Sequence, residues 1–172
     1  MTQTRREPIE YASPELRRDI EAFLAYDSEL IDEWRLPEWL ELFTPDCLYL
    51  VPSTDRPNGD PSTDLFFIRD DYFLLSQRVD ALMNGTAWAE SPHSTTHRMI
   101  SNVRATETPD GRVLVKANLL VHRSKADRLL SYPVHLTLTL VRGGHAGFEI
   151  ELRKAVLALE QLRPHGRMSV LL

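Results

Sequence analysis

The sequence predicts an α+β fold, with N-terminal helices packed in a strongly curved, mainly antiparallel, cone-like sheet. Three observations carry this. Apolar residues in the first half recur at helical spacing; from about Arg98 onward they alternate every second residue; and the alternation slips by one position near the end. A slip of one residue is what a β-bulge inserts, and a bulge bends a sheet.

The elements follow in order. Residues 1–12 are polar and read as an N-terminal arm, leaving 13–172 as one domain. Ser13-Pro14-Glu15 is a helix start: a capping serine, proline at the first helical position, then an acid. Leu16, Ile20, Phe23, Leu24, Leu30 and Ile31 then define one face of a helix of about 20 residues. Pro37 to Phe43 predicts a short second helix, stopped by Thr44-Pro45-Asp46, and Cys47 to Val51 a strand. Residues 52–64 are turn formers throughout and read as a surface loop. Asp70 to Asn84 predicts a third helix with Phe73, Leu74, Val79, Leu82 and Met83 as its apolar residues, ended by Gly85.

Strands dominate thereafter. Arg98 to Thr106 is followed by the hairpin turn Thr108-Pro109-Asp110-Gly111. Val113, Val115, Ala117, Leu119 and Val121 share one face of the next strand, and Val134, Leu136, Leu138 and Leu140 one face of another. In the last strand Phe148, Ile150 and Leu152 are in phase, Lys154 breaks it, and Ala155, Leu157 and Leu159 resume on the other parity.

Composition narrows the function. The chain has 172 residues, of which 42% are hydrophobic and 26% charged, so it can bury one good core. Its formal charge of -5 argues against a general nucleic-acid binder, which needs a basic footprint. The lone Cys47 excludes an internal disulfide framework, a Cys-pair zinc site and an iron–sulfur cluster held by this chain alone. No apolar run approaches the roughly 20 residues of a membrane span, and the N-terminus carries no apolar signal region. The expectation is a cytoplasmic protein with no membrane contact.

Candidate chemistry is sparse. Gly143-Gly144-His145-Ala146-Gly147 precedes a strand rather than a helix, so it reads as a hairpin turn and not a phosphate loop. His93 and His97 are four apart, but Pro92 and the Ser/Thr run between them oppose a helix, and no metal site is expected. Trp34, Trp39, Trp88, Tyr26 and Tyr72 could line a cavity or simply form core. Cys47 reads as an inert buried thiol. Asp27 stands out because it lies on the apolar stripe of the first helix. A buried carboxylate is costly unless paired or protonated. It is therefore either a structural carboxylate bonded to an arginine or backbone amides, or a catalytic acid or base. Asp32 falls off that stripe. On the outer sheet face, Leu114, Leu120 and Val141 among polar neighbours suit a protein interface.

Five ordered segments, with their spacing, resemble the small (beta) subunits of aromatic ring-hydroxylating dioxygenases. These are Asp27-Ser28-Glu29-Leu30-Ile31-Asp32-Glu33 with Glu38-Trp39-Leu40 and Leu48 to Pro52; Ala87-Trp88-Ala89-Glu90-Ser91-Pro92; Ile100-Ser101-Asn102-Val103-Arg104; Asn118 to Ser124; and Gly147-Phe148-Glu149-Ile150 with the closing Met168 to Leu172. The resemblance implies a fold like nuclear transport factor 2 and scytalone dehydratase. It implies a noncatalytic subunit without catalytic, cofactor-binding or metal residues of its own. The Rieske [2Fe–2S] cluster and mononuclear Fe(II) would sit on a large (alpha) subunit, and ferredoxin and reductase would feed electrons to the complex. Small subunits of this family trimerise and support three large ones. Where the family usually reads Thr-Arg-His, this chain reads Thr96-His97-Arg98, which should move the imidazole to the other face of the strand. The alternative is a free-standing dehydratase or isomerase of the same fold, with Asp27 as base helped by Tyr26 or His97.

Overall fold

The structure, a computed structural model, describes residues 12–160 and 171–172. The expected arm, apart from Ala12, and Met168 to Val170 of the closing motif lie outside the described residues. Helix α1 runs from Pro14 to Asp32, and the Ser13 hydroxyl accepts from the Leu16 amide at 3.1 Å to cap it. Its buried stripe is the predicted one, with Asp27 included. Helix α2 is shorter than expected, Leu36–Leu40, because Phe43 already opens strand β1, Phe43–Pro52. Thr44-Pro45-Asp46 does not stop a helix. It is the part of β1 that leaves register between Phe43 and Leu48.

Strand β2, Phe66–Asp71, was not expected from the sequence. It pairs antiparallel with β1 at one sheet edge. Asp71 ends it and caps helix α3, Tyr72–Met83, by accepting from the Leu74 amide at 2.9 Å. The inward face of α3 is Leu75, Val79 and Leu82. Phe73 and Leu74, counted among its apolar residues, are 67% and 47% exposed, and Met83 is exposed too.

A 3₁₀ turn, α4, spans Trp88–Glu90. Three long strands follow: β3 Thr95–Glu107, β4 Val113–Lys125 and β5 Arg128–Arg142, and then β6 Phe148–Leu157. The sheet order is β2-β1-β6-β5-β4-β3, antiparallel except for the β1–β6 pair. The predicted inward faces of β4 and β5 are all buried.

Besides a register shift at the edge between Val51 and Pro52, two bulges lie in the longer strands and curve the sheet. One lies in β3 between Ser101 and Arg104, where Asn102 takes φ +54, a left-handed conformation that asparagine tolerates better than most residues. The other lies in β6: Leu140 faces Ile150 and Thr139 faces Leu152, so Glu151 is the extra residue. The slip therefore precedes Leu152 instead of following it. Leu152 turns to the outer face, and Arg153 turns inward beside Ala155 and Leu157. Helix α1 lies in the resulting concavity, where Phe23 meets Phe148 edge-on at 5.8 Å.

Candidate functional site

The slip at Glu151 decides what the cone contains. Leu138, Arg153, Tyr49 and Asp70 are register partners on four adjacent strands and form one inward row. All four are buried. From the other side α1 presents Asp27. Arg153 Nη1 donates to Asp27 Oδ1 at 2.9 Å and Oδ2 at 3.1 Å, and Trp39 Nε1 donates to Oδ1 at 2.9 Å. The Arg153 guanidinium also lies 5.8 Å from the Trp39 ring centroid. Asp27 is 1% and Arg153 0% exposed, so this is a fully desolvated ion pair with its charges matched. Of the two readings of Asp27, the structural carboxylate bonded to an arginine has the geometry.

A second pair stands one turn further along α1. Asp32 accepts from Arg98 Nη1, from the Arg98 amide at 3.0 Å and from the Thr96 hydroxyl at 2.7 Å. Burial pulls the Arg98 guanidinium below its ordinary value, and the Asp32 charge partly counters this. The reversed order at 97–98 thus has a clear consequence. Arg98 points into the cone, and His97 is exposed on the outer face, register partner of His122.

Between the two pairs lie Leu171 and Leu172, both buried in the core. Arg153 Nε donates to the Leu172 oxygen at 2.7 Å, and Arg98 Nη2 to the Leu171 oxygen at 2.5 Å. The Tyr49 hydroxyl accepts from the Leu172 amide at 3.0 Å and lies 3.3 Å from its oxygen. Burial raises the Tyr49 phenol above its ordinary range.

The Ala87–Pro92 segment forms a separate anchor. Glu90 is 1% exposed and accepts from the Ser94 amide at 3.2 Å, the Ser94 hydroxyl at 2.6 Å and Arg123 Nε at 2.9 Å. It ties the loop to Ser94, the residue before β3, and to β4. Trp34, at φ +59, stacks on His93 at 3.7 Å and donates Nε1 to the Ser94 oxygen at 3.0 Å.

The remaining candidates separate. Trp39 is core, Trp34 and Tyr72 are half-buried, and Trp88 is 87% exposed, so the aromatics do not line one cavity. Tyr26 meets His145 edge-on at 6.1 Å. His97 cannot assist Asp27 from the opposite face of the sheet. Cys47 is buried, and burial pushes its thiol up to about 11. Among the described residues, no group of three or more His, Cys, Asp or Glu is placed to hold a metal ion. Leu114, Leu120 and Val141 are half-buried on the outer face. Sequence reasoning missed Arg153, Arg98, Glu90 and Asp70 as buried charges. The parity of β6 was the available signal for Arg153.

A curved six-stranded sheet closed over a long helix places the protein in the class of cone-shaped α+β folds. Solved structures agree. A chain of naphthalene 1,2-dioxygenase, solved with indole in the active site, superposes with TM-score 0.82 at 18% identity, covering 95% of this chain and 89% of that one. A protein from Novosphingobium aromaticivorans described as a scytalone dehydratase superposes with TM-score 0.62 at 15% identity, covering 84% of this chain and 85% of that one. Both likenesses speak to fold. Sequence settles the family: the model of the ring hydroxylating beta subunit matches residues 26–163. The small oxygenase component of the p-cumate 2,3-dioxygenase system of Pseudomonas putida is 38% identical over 166 residues, 95% of this chain and 91% of that protein. The chain belongs to the ring-hydroxylating beta subunits, the small subunits of aromatic ring-hydroxylating dioxygenases.

Proposed function

We propose that this chain is a noncatalytic scaffold that joins a large oxygenase subunit in a complex of three large and three small subunits, with its own copies forming the trimer. The observation that supports it best is the filling of the cone. In a cone-fold enzyme the interior must admit substrate; here it is occupied by the paired Asp27–Arg153 and Asp32–Arg98 and by Leu171 and Leu172. In this reading the chain supplies no catalytic, cofactor-binding or metal-ligating residue. The Rieske [2Fe–2S] cluster and the mononuclear Fe(II) belong to the large subunit, and ferredoxin and reductase deliver electrons to the assembled complex in the cytoplasm. Residues 13–172 act as one domain, and the preceding arm reaches a neighbouring subunit. The complex serves degradation of an aromatic compound.

Co-expression with the large-subunit gene product tests this. Native mass measurement should give three plus three, and the small chain alone should give a trimer. A stable monomer that ignores the large subunit, or a chain that turns over a small substrate unaided, would overturn the proposal.

A further inference from the structure

One register row crosses the outer face of the whole sheet: Arg69 on β2, Leu50 on β1, Lys154 on β6, Thr137 on β5, Lys116 on β4 and Arg104 on β3. It faces outward because strand neighbours such as Val115, Ala117, Leu136, Leu138, Arg153 and Ala155 are buried in the cone. The insertion of Glu151 that sends Arg153 inward is also what brings Lys154 into this row. Four of its six positions are cationic. Among the described residues, none of the four has an ion pair or a side-chain hydrogen bond. Two carboxylates on that side are committed elsewhere, Asp71 to the Leu74 amide and Glu151 to Arg112. The adjacent row holds Leu48, Leu152, Thr139 and Leu114, with Leu48 39% exposed. An apolar strip bordered by unspent charge has the make-up of an interface, whose core is apolar and whose rim is polar. With strands about 4.8 Å apart the row is about 24 Å long, which fits a macromolecular surface and not a small ligand.

We infer that a second copy of this chain docks on this face head-to-tail, with its carboxylates against the cationic row. Charge decides the occupant. The chain totals -5, so with these four cations set aside the remainder stands at -9. The rest of a second copy is therefore an acidic counter-surface for the row. A two-fold axis through this face would instead set cation against cation, which is repulsive. The row thus selects a heterologous contact, and a heterologous contact that closes makes a ring. The inference rests on the trimer proposed above; it adds the face that is used, the polarity of the contact and the residues that fix its orientation.

Sedimentation of the full chain, purified alone over a range of concentrations, tests this. The double variant Arg104→Glu, Lys116→Glu should raise the concentration of half-assembly by about tenfold or more, because two attractions become repulsions. The charge-keeping pair Arg104→Lys, Lys116→Arg should assemble like the wild type. Raising NaCl from about 0.05 to 0.5 M should weaken wild-type assembly, since screening removes attraction between opposite charges. A smaller shift in the reversed variant, an equal loss in the charge-keeping pair, or assembly that strengthens with salt overturns the inference while the trimer stands. A wild-type chain that is monomeric at every concentration overturns the trimer and the inference together. A reversed variant that trimerises normally but no longer co-purifies with the large subunit gives this face to the large subunit, and also overturns the inference. Thermal melting checks that the variants are folded. If the double variant does not melt cooperatively, Arg69→Glu at the far end of the row replaces it, with a shift of about threefold or more expected and a smaller one overturning the inference.

Discussion

Replacing Asp27 by asparagine removes one charge from a fully buried pair and changes almost nothing in shape. The side-chain oxygen can still accept from Trp39 Nε1, which sits 2.9 Å away. Arg153, however, keeps a positive charge at 0% exposure with its counter-charge gone. Breaking a buried pair on one side costs about 3–5 kcal/mol, most of it the uncompensated charge. An unfolding entropy of about 2.1 cal/mol/K per residue over 172 residues gives ~0.36 kcal/mol/K, so this corresponds to a fall of about 8–14 °C in Tm. Urea unfolding of wild type and Asp27→Asn should show the loss as a lower midpoint with an unchanged slope. The assembled oxygenase should turn over at nearly the wild-type rate per intact complex. A stability loss under about 1 kcal/mol would refute the energetic reasoning. A rate loss of several orders of magnitude with the complex intact would make Asp27 a catalytic group.

Other outcomes follow from the same structure. Glu90→Gln should destabilise the chain by about 1–3 kcal/mol, since Arg123 and Ser94 lose a charged acceptor; thermal unfolding measures it. The Cys47 thiol should resist alkylation at pH 8 until the protein unfolds, because burial lifts it from 9.0 to about 11; mass spectrometry after iodoacetamide treatment reads this. The same shift gives an alkaline limit. The folded state keeps a proton that the unfolded thiol releases, so this contribution is full below about pH 9 and lost as pH rises to about 11, with Tyr49 acting in the same direction. The chain purified alone should carry no stoichiometric iron or zinc by elemental analysis, having no ligand cluster among its described residues.

Periodicity made the strands and α1 legible because burial on one face imposes it directly. Asp27 was legible as a buried acid for the same reason. Its partner was not. With Leu152 apolar, the slip in β6 can be placed on either side of it, and only pairing with β1 and β5 fixes the extra residue at Glu151 and sends Arg153 inward. Strand β2 escaped because Phe66-Phe67-Ile68 is a short apolar run at the end of a turn-rich loop, and its role as an edge exists only once β1 is there to pair with it. Apolarity alone does not mark the inward face of α3: Phe73 and Leu74 are exposed, whereas Leu75, Val79 and Leu82 keep the i, i+4, i+7 spacing that meets the sheet. The place of Leu171 and Leu172 depends on three strands meeting around them, and no local pattern encodes that.

The cone also shows why fold alone leaves function open. A general base needs a carboxylate that substrate can reach and whose anion is not already fully engaged. Asp27 fails on both counts: its Oδ1 accepts from Trp39 and Arg153, its Oδ2 from Arg153, and 1% of the residue is exposed. The same sheet and helix could house a reaction if the interior were open and Arg153 pointed outward. A single inserted residue in β6 determines which of these holds, because it sets the parity of every side chain after it. Glu151, the inserted residue, is itself tied down by Arg112 at 2.6 and 2.7 Å, so the bulge is braced from β4's end of the hairpin. Bulge, inward arginine, neutralised aspartate and filled interior form one causal sequence, and it leads from the amino-acid order to a scaffold.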